Sequence, residues 1–222
     1  MPLEVFDLSN TAEADGALDG QMIFLSASIP DPERWLGRFD PLSITDAAVA
    51  TARTLLSAGG GIVTAAHPTI APLILYVARE LSDDHALPPI VVYQSTLFTD
   101  LLPIETLDLA RGGLGELVWT PASPNDRPAP GGWDASLATM REQMLSRDDL
   151  VAAIFVGGME GIKAEFELFR RMRPSGRTYA IRAPGGAASE LPTTNALTLE
   201  SQLRTSRSYP ALLREIVADL AS

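Results

Sequence analysis

With 222 residues, 46% of them hydrophobic and 20% charged, the chain has apolar mass for one good-sized packed domain and is not disordered throughout. It has no cysteine and two histidines, His67 and His85, which excludes disulfide scaffolds, thiolate metal sites and cysteine nucleophiles and leaves little for a histidine-rich metal centre. A net charge of −11 argues against a general nucleic-acid binder, because such proteins gain affinity when clustered cations release counterions.

The charge is unevenly spread. Residues 170–222 carry eight arginines against four acids, whereas residues 1–169 carry nine basic and twenty-four acidic side chains. A small anion is therefore favoured near the C-terminal part and a long polyanion repelled elsewhere. The start has no basic segment leading into an apolar run, and the most apolar stretch, Gly59 to Val77, is interrupted by His67, Pro68 and Pro72. Neither reads as a secretion signal or a membrane span, so the expected location is cytoplasmic.

In chain order, residues 1–20 are polar and acidic and read as an N-terminal arm, leaving 21–222 as a single domain. Met22 to Ser26 is a continuous apolar run, the pattern of a strand covered on both faces. After a proline-containing loop, Ser43 or Thr45 is the expected cap of a helix that stops at Gly59-Gly60-Gly61. Gly61 to Thr64 reads as the second strand, and a helix follows from Pro68. Pro89 to Tyr93 and Gly115 to Trp119 read as the third and fourth strands, and 121–132 as a long loop suspected of function or disorder. A helix is expected over 133–147, a central strand over 150–156, a helix to about Met172, a last strand over 178–182 and a closing helix from Ser208 to Leu220. Strand and helix alternate, so the expected fold is α/β, a Rossmann-like parallel sheet flanked by helices on both faces.

In such a sheet ligands bind beyond the carboxyl ends of the strands. Residues there are Ser26-Ala27-Ser28, Ala66-His67-Pro68, Gln94, Gly157-Gly158-Met159-Glu160-Gly161 and Arg182. Two glycines after a buried strand allow a sharp turn, and the amides that open the next helix suit a phosphate. Glu165, one turn after Gly161, either reaches back to hold sugar hydroxyls or act as an acid, base or cation stabiliser, or is an ordinary exposed helix residue. His67 either meets a phosphate or base, or is a half-buried ring bonded to a carbonyl. Ser26 and Ser28 bind phosphate or cap the turn, Gln94 is placed to read a base edge, and Arg182 to meet a second phosphate. His85 and the Asp83-Asp84 and Asp148-Asp149 pairs read as solvated turns, and Lys163 as a solvent-facing side chain. No Gly-x-Ser-x-Gly elbow, phosphate-binding Gly-x4-Gly-Lys-Ser/Thr loop or Gly-x-Gly-x-x-Gly fingerprint is present.

The stretch from Gly61 to Ala71, followed about ninety residues later by Gly157-Gly158-x-x-Gly161-x-x-x-Glu165, resembles the SLOG superfamily. That group includes cytokinin-activating phosphoribohydrolases and the nucleotide-binding domains that accompany TIR and sirtuin-type modules in bacterial conflict systems. The likeness covers residues 22–182 and departs from the Pro-Gly-Gly-x-Gly-Thr-x-x-Glu pattern. Val156 stands for the proline, Ile162 for the threonine, and one residue is inserted before Gly161. The hydrolases also pair an arginine with the glutamate, and no position in this sequence maps to that arginine. The resemblance implies a sensor for a ribonucleotide or NAD-derived signal in antiphage defence or signalling. The alternative it implies is a nucleoside 5′-monophosphate phosphoribohydrolase in which Glu165 is catalytic. It further implies a nucleotide ligand, a TIR or other effector partner and a homo-oligomer, without cofactor, metal, nucleic acid or membrane.

Overall fold

The structure, a computed structural model, describes residues 16–82, 89–194 and 197–222. Expectations for residues 1–15, Asp83-Asp84 and His85 lie outside the described residues. Six parallel strands form one sheet in the order β4-β3-β2-β1-β5-β6. They are β1 (Met22–Ser28), β2 (Gly61–Ala65), β3 (Ile90–Ser95), β4 (Glu116–Thr120), β5 (Leu150–Gly157) and β6 (Arg177–Ile181). The helices are α1 (Pro41–Ser57), α2 (Ile70–Leu81), α3 (Ile104–Leu109), α4 (Asp134–Leu145), α5 (Glu160–Met172), α6 (Glu200–Thr205) and α7 (Tyr209–Leu220). This is the Rossmann-like arrangement that the alternating pattern predicts.

Alternation along β1 sends its side chains to two different cores. Ile23, Leu25 and Ala27 pack with α1, α2 and α7, around residues such as Ile44, Ile74 and Leu213. Met22 and Phe24 face the opposite way, toward Met140 and Met144 of α4 and Phe166 and Phe169 of α5. Phe155 stands edge-on to both Phe24 and Phe166, at centroid distances of 6.1 and 5.4 Å. Ser26 continues the Met22–Phe24 face and so points at α4 and α5. The strand order reverses at β1, between β2 on one side and β5 on the other, and such a switch point, beyond the carboxyl ends of the strands, is where the ligand crevice of an open α/β sheet lies.

Several boundaries differ from the sequence expectation. Helix α1 is capped by Asp40, whose carboxylate accepts from the amides of Leu42 (3.1 Å) and Ser43 (3.3 Å), not by Ser43 or Thr45. Pro41 occupies the first turn, where its missing N–H costs nothing. Strands β1 and β3 run on through Ser28 and Ser95, so Ser26 and Gln94 are strand residues rather than loop residues. The end of the expected arm belongs to the core: Leu18 is fully buried and its amide bonds the Ala58 carbonyl at 2.8 Å. Thr96 to Leu114, unassigned by pattern, forms a 3-10 turn, α3 and a π-turn. The 121–132 loop is tied down, with Ser123 N–H on Ser136 Oγ at 2.9 Å and Ser136 N–H on Asp126 at 2.7 Å.

Candidate functional site

At the crevice beside β1, three side chains from distant parts of the chain meet. Ile162, Glu165, Phe166 and Phe169 recur at helical spacing along α5 and all turn inward, so Glu165 is buried, at 8% exposure. Ser26 Oγ donates to one carboxylate oxygen at 2.5 Å, and Arg141 Nε on α4 donates to the other at 3.1 Å. A buried carboxylate needs such donors, because losing water without them is costly. The reading of Glu165 as an ordinary exposed helix residue therefore fails. Gly161 leaves room beside the pair: a Cβ there would stand 2.7 Å from an Arg141 guanidinium nitrogen, which would have to shift.

Arg141 escaped the motif analysis. Its signal lay in the helix: it interrupts the stripe formed by Leu137, Met140 and Met144, all of which pack in the α4–α5 core. A cation in a core-facing stripe requires a partner, and here the partner is Glu165.

The turn between β5 and α5 depends on glycine. Gly157 and Gly158 both have φ of +67°. A Cβ on Gly158 would lie 2.1 Å from Ile162 Cδ1 and 3.0 Å from Ser28 Oγ. The Gly158 N–H bonds the Ser28 carbonyl at 2.7 Å and its carbonyl accepts from the Ala187 amide at 2.8 Å. Both peptide groups of Gly158 are thus bonded within the protein, which leaves the open amides to the residues that follow it. Among the described residues, the amides of Met159, Glu160 and Gly161 have no partner, and no side chain caps this end of α5. They form the positive end of a 13-residue helix. Lys163 is not simply solvent-facing: its ammonium group pairs with Glu160 at 2.9 Å and Glu190 at 2.8 Å.

The neighbouring strand ends supply a second wall around Ala66. Gln94 spans it, donating to the Ala66 carbonyl at 3.3 Å and accepting from the Ser95 amide at 2.9 Å, so both ends of its amide serve the loop. His67 Nδ1 accepts from the Thr69 amide at 3.3 Å, just before α2, while Pro68 is exposed. The ring thus accepts from an amide rather than donating to a carbonyl. Burial pushes its pKa down to about 4, so it is neutral at pH 7 and offers no charge to a phosphate. Because the unfolded histidine has the higher pKa, the unfolded state binds more protons between pH 6.5 and 4, and stability falls as pH drops through that window. Unfolding free energies from urea denaturation at pH 7 and 4.5 should differ by about 1–3 kcal/mol more in wild type than in His67→Gln; equal differences would remove the histidine from the effect.

Arg182 follows β6 but does not turn toward the crevice. Its guanidinium pairs with Glu200 on α6 at 2.5 Å and donates to Thr193 at 2.9 Å. Hydrogen bonds from Thr193, Arg182 and Arg204 hold the Glu200 pKa down at about 2. The structure thus brings together Ser26, Ser28, Gly157, Gly158, Gly161 and Glu165, adds Arg141, turns the Ala27 side chain into the opposite core, and engages Arg182 elsewhere. A separate groove of about 470 Å³ lies at the β4 edge, lined by Leu107, Arg111, Leu117 and Trp119, and none of the expected site residues lines it. Among the described residues no group of three or more His, Cys, Asp or Glu side chains is arranged to hold a metal ion. No described helix is long and apolar enough to cross a membrane.

The family model of the SLOG cluster3 family matches residues 34–217. The chain belongs to this family. With membership comes the coarse function, that of a nucleotide-binding domain. The solved structure of the protein designated TM1055 is similar to this SLOG cluster3 chain, with a TM-score of 0.50 at 13% identity, over 77% of this chain and 79% of its own. At that identity the likeness concerns the fold alone. No curated protein matches the chain.

Proposed function

We propose that this SLOG cluster3 chain is a sensor that holds a ribonucleotide or an NAD-derived signal at the corner between β1, β5 and the start of α5. The observation that carries the reading is the unpartnered start of α5, on the same helix as a buried Glu165 whose two oxygens each accept one hydrogen bond. Amides at a helix N-terminus bind phosphate oxygens, and a carboxylate on the same helix accepts from ribose hydroxyls through the lone pairs that Ser26 and Arg141 leave open. Both oxygens of Glu165 are already engaged, which favours holding a ligand over attacking or protonating one. The signal passes to an effector protein, of TIR type or another, or to a second copy of the chain.

A second reading is favoured by one observation: Arg141 beside Glu165 supplies the arginine–glutamate pair that the hydrolase resemblance requires. In that case water adds across the N-glycosidic bond of a nucleoside monophosphate, releasing the base and ribose 5-phosphate. The carboxylate would stabilise the oxocarbenium charge that develops at the sugar.

Calorimetric titration with NAD, ADP-ribose, cyclic ADP-ribose isomers and AMP tests the binding site, and heat is expected with at least one of them. Chromatography of AMP after incubation separates the readings. Intact AMP is the sensor result, whereas free adenine from wild type but not from Glu165→Gln is the hydrolase result. No heat with any ligand at millimolar concentration would reject both.

A further inference from the structure

The loop between β1 and α1 carries two consecutive residues that reach to different helices. Arg34 places its guanidinium carbon 5.9 Å from the centre of the Trp133 ring, at the start of α4. Trp35 lies 5.6 Å from the ammonium of Lys163, in the first turn of α5. The loop thereby forms a strap tying the start of α4 to the start of α5, the helix end to which the phosphate is assigned above. Trp133 is only half-buried, and Phe98, just beyond β3, meets it at 5.7 Å and 60°. The indole N–H of Trp35 is buried and has no partner among the described residues, an arrangement proteins avoid unless the group has another use.

An open indole face covered by a guanidinium is covered by a flat, delocalised group, the same shape a nucleobase presents. Resting on the nucleotide-binding reading, we infer that Trp133 is the platform on which the ligand's base stacks, and that Arg34 occupies the ring until the base displaces it. The exchange is feasible because Arg34 is exposed and its contact with the ring is its weak hold on α4. Displacement frees the strap at its α4 end. The ligand class is then narrowed to nucleotides that keep their base; a bare sugar phosphate engages only the helix start.

Calorimetry with AMP, ADP-ribose and ribose 5-phosphate tests this. Trp133→Ala is expected to weaken AMP and ADP-ribose at least about 10-fold, in line with base–aromatic stacking, and to leave ribose 5-phosphate unchanged. Trp133→Phe, which keeps an aromatic face and guards against a folding defect, should retain most of the affinity. Arg34→Ala should strengthen the base-bearing ligands roughly two- to five-fold by clearing the ring. The inference is overturned, with the binding site left standing, if Trp133→Ala shifts all three ligands alike or none of them, or if Arg34→Ala weakens them. Should wild type bind none of the three, the binding site and the platform fall together.

Discussion

Arg141→Met should destabilise the protein by about 2–4 kcal/mol, toward the upper end of what single substitutions do. Among the described residues the guanidinium is the only cation on Glu165, and the pair is shielded, at 18% and 10% side-chain exposure. With methionine at 141 the carboxylate stays buried with a single hydroxyl donor, Ser26. An unpaired buried charge costs far more than a missing neutral contact. In a chain of this length each kcal/mol moves the melting temperature by roughly 2–4 °C, so a fall of about 5–15 °C is expected by scanning calorimetry. Removing the charge on the other side should restore most of the loss: Arg141→Met with Glu165→Gln is expected to melt above Arg141→Met alone. Glu165→Gln by itself should cost less, since a freed arginine can reach water along its flexible stem. A melting temperature for Arg141→Met within two degrees of wild type would mean that the buried pair contributes nothing.

Gly186→Ala carries the second large effect, about 3–5 kcal/mol. Gly186 has φ of +71° and ψ of −174°, a region open almost only to glycine. An added methyl would stand 2.5–2.7 Å from backbone atoms of Gly157. That backbone cannot give way, because the next residue is pinned from both sides by Ser28 and Ala187, and Gly186 itself donates to the Arg38 carbonyl at 2.9 Å. Gly131→Ala is the control: φ is +75°, yet nothing lies within 4 Å of the added carbon, so only the backbone preference of about 1–2 kcal/mol is at stake. Urea denaturation of the two variants should separate them by at least about 1 kcal/mol. Equal losses would show that the Gly157–Gly186 contact is looser than its geometry implies. Because Gly157 leads straight into the helix start, Gly186→Ala should also weaken nucleotide binding, whereas Gly131→Ala should not.

The sheet was largely legible before any coordinates because each strand is a short run of apolar residues bounded by glycine, proline or polar residues, and burial on both faces admits little else at those positions. Glu165 was half legible: its spacing from the glycine turn fits an inward direction, but an exposed helix residue fits the same spacing, and only its buried partners decide between them. The segment from Thr96 to Leu114 was not legible, since a six-residue helix flanked by 3-10 and π-turns has no repeat long enough to register. The Asp40-Pro41 start of α1 was present in the sequence as a cap followed by a first-turn proline, but two later hydroxyl residues offered equally good capping chemistry.

Partner choice is where sequence reading ended. Arg182 and Arg141 are both arginines near acids; one lies against Glu200 and the other against Glu165. Nothing in the order of residues separates them, because each pairing depends on how a helix crosses the sheet. The amino-acid sequence by itself determined the α/β class and the glycine corner after the strongest strand. Those follow from periodicity and backbone sterics acting over a few residues. Only the tertiary structure decided that Ser26 and Arg141 share the Glu165 carboxylate, that the peptide groups of Gly158 are bonded within the protein, and that Arg182 is held elsewhere. Those contacts span up to 139 positions of chain, and the packing of two layers against one sheet selects them.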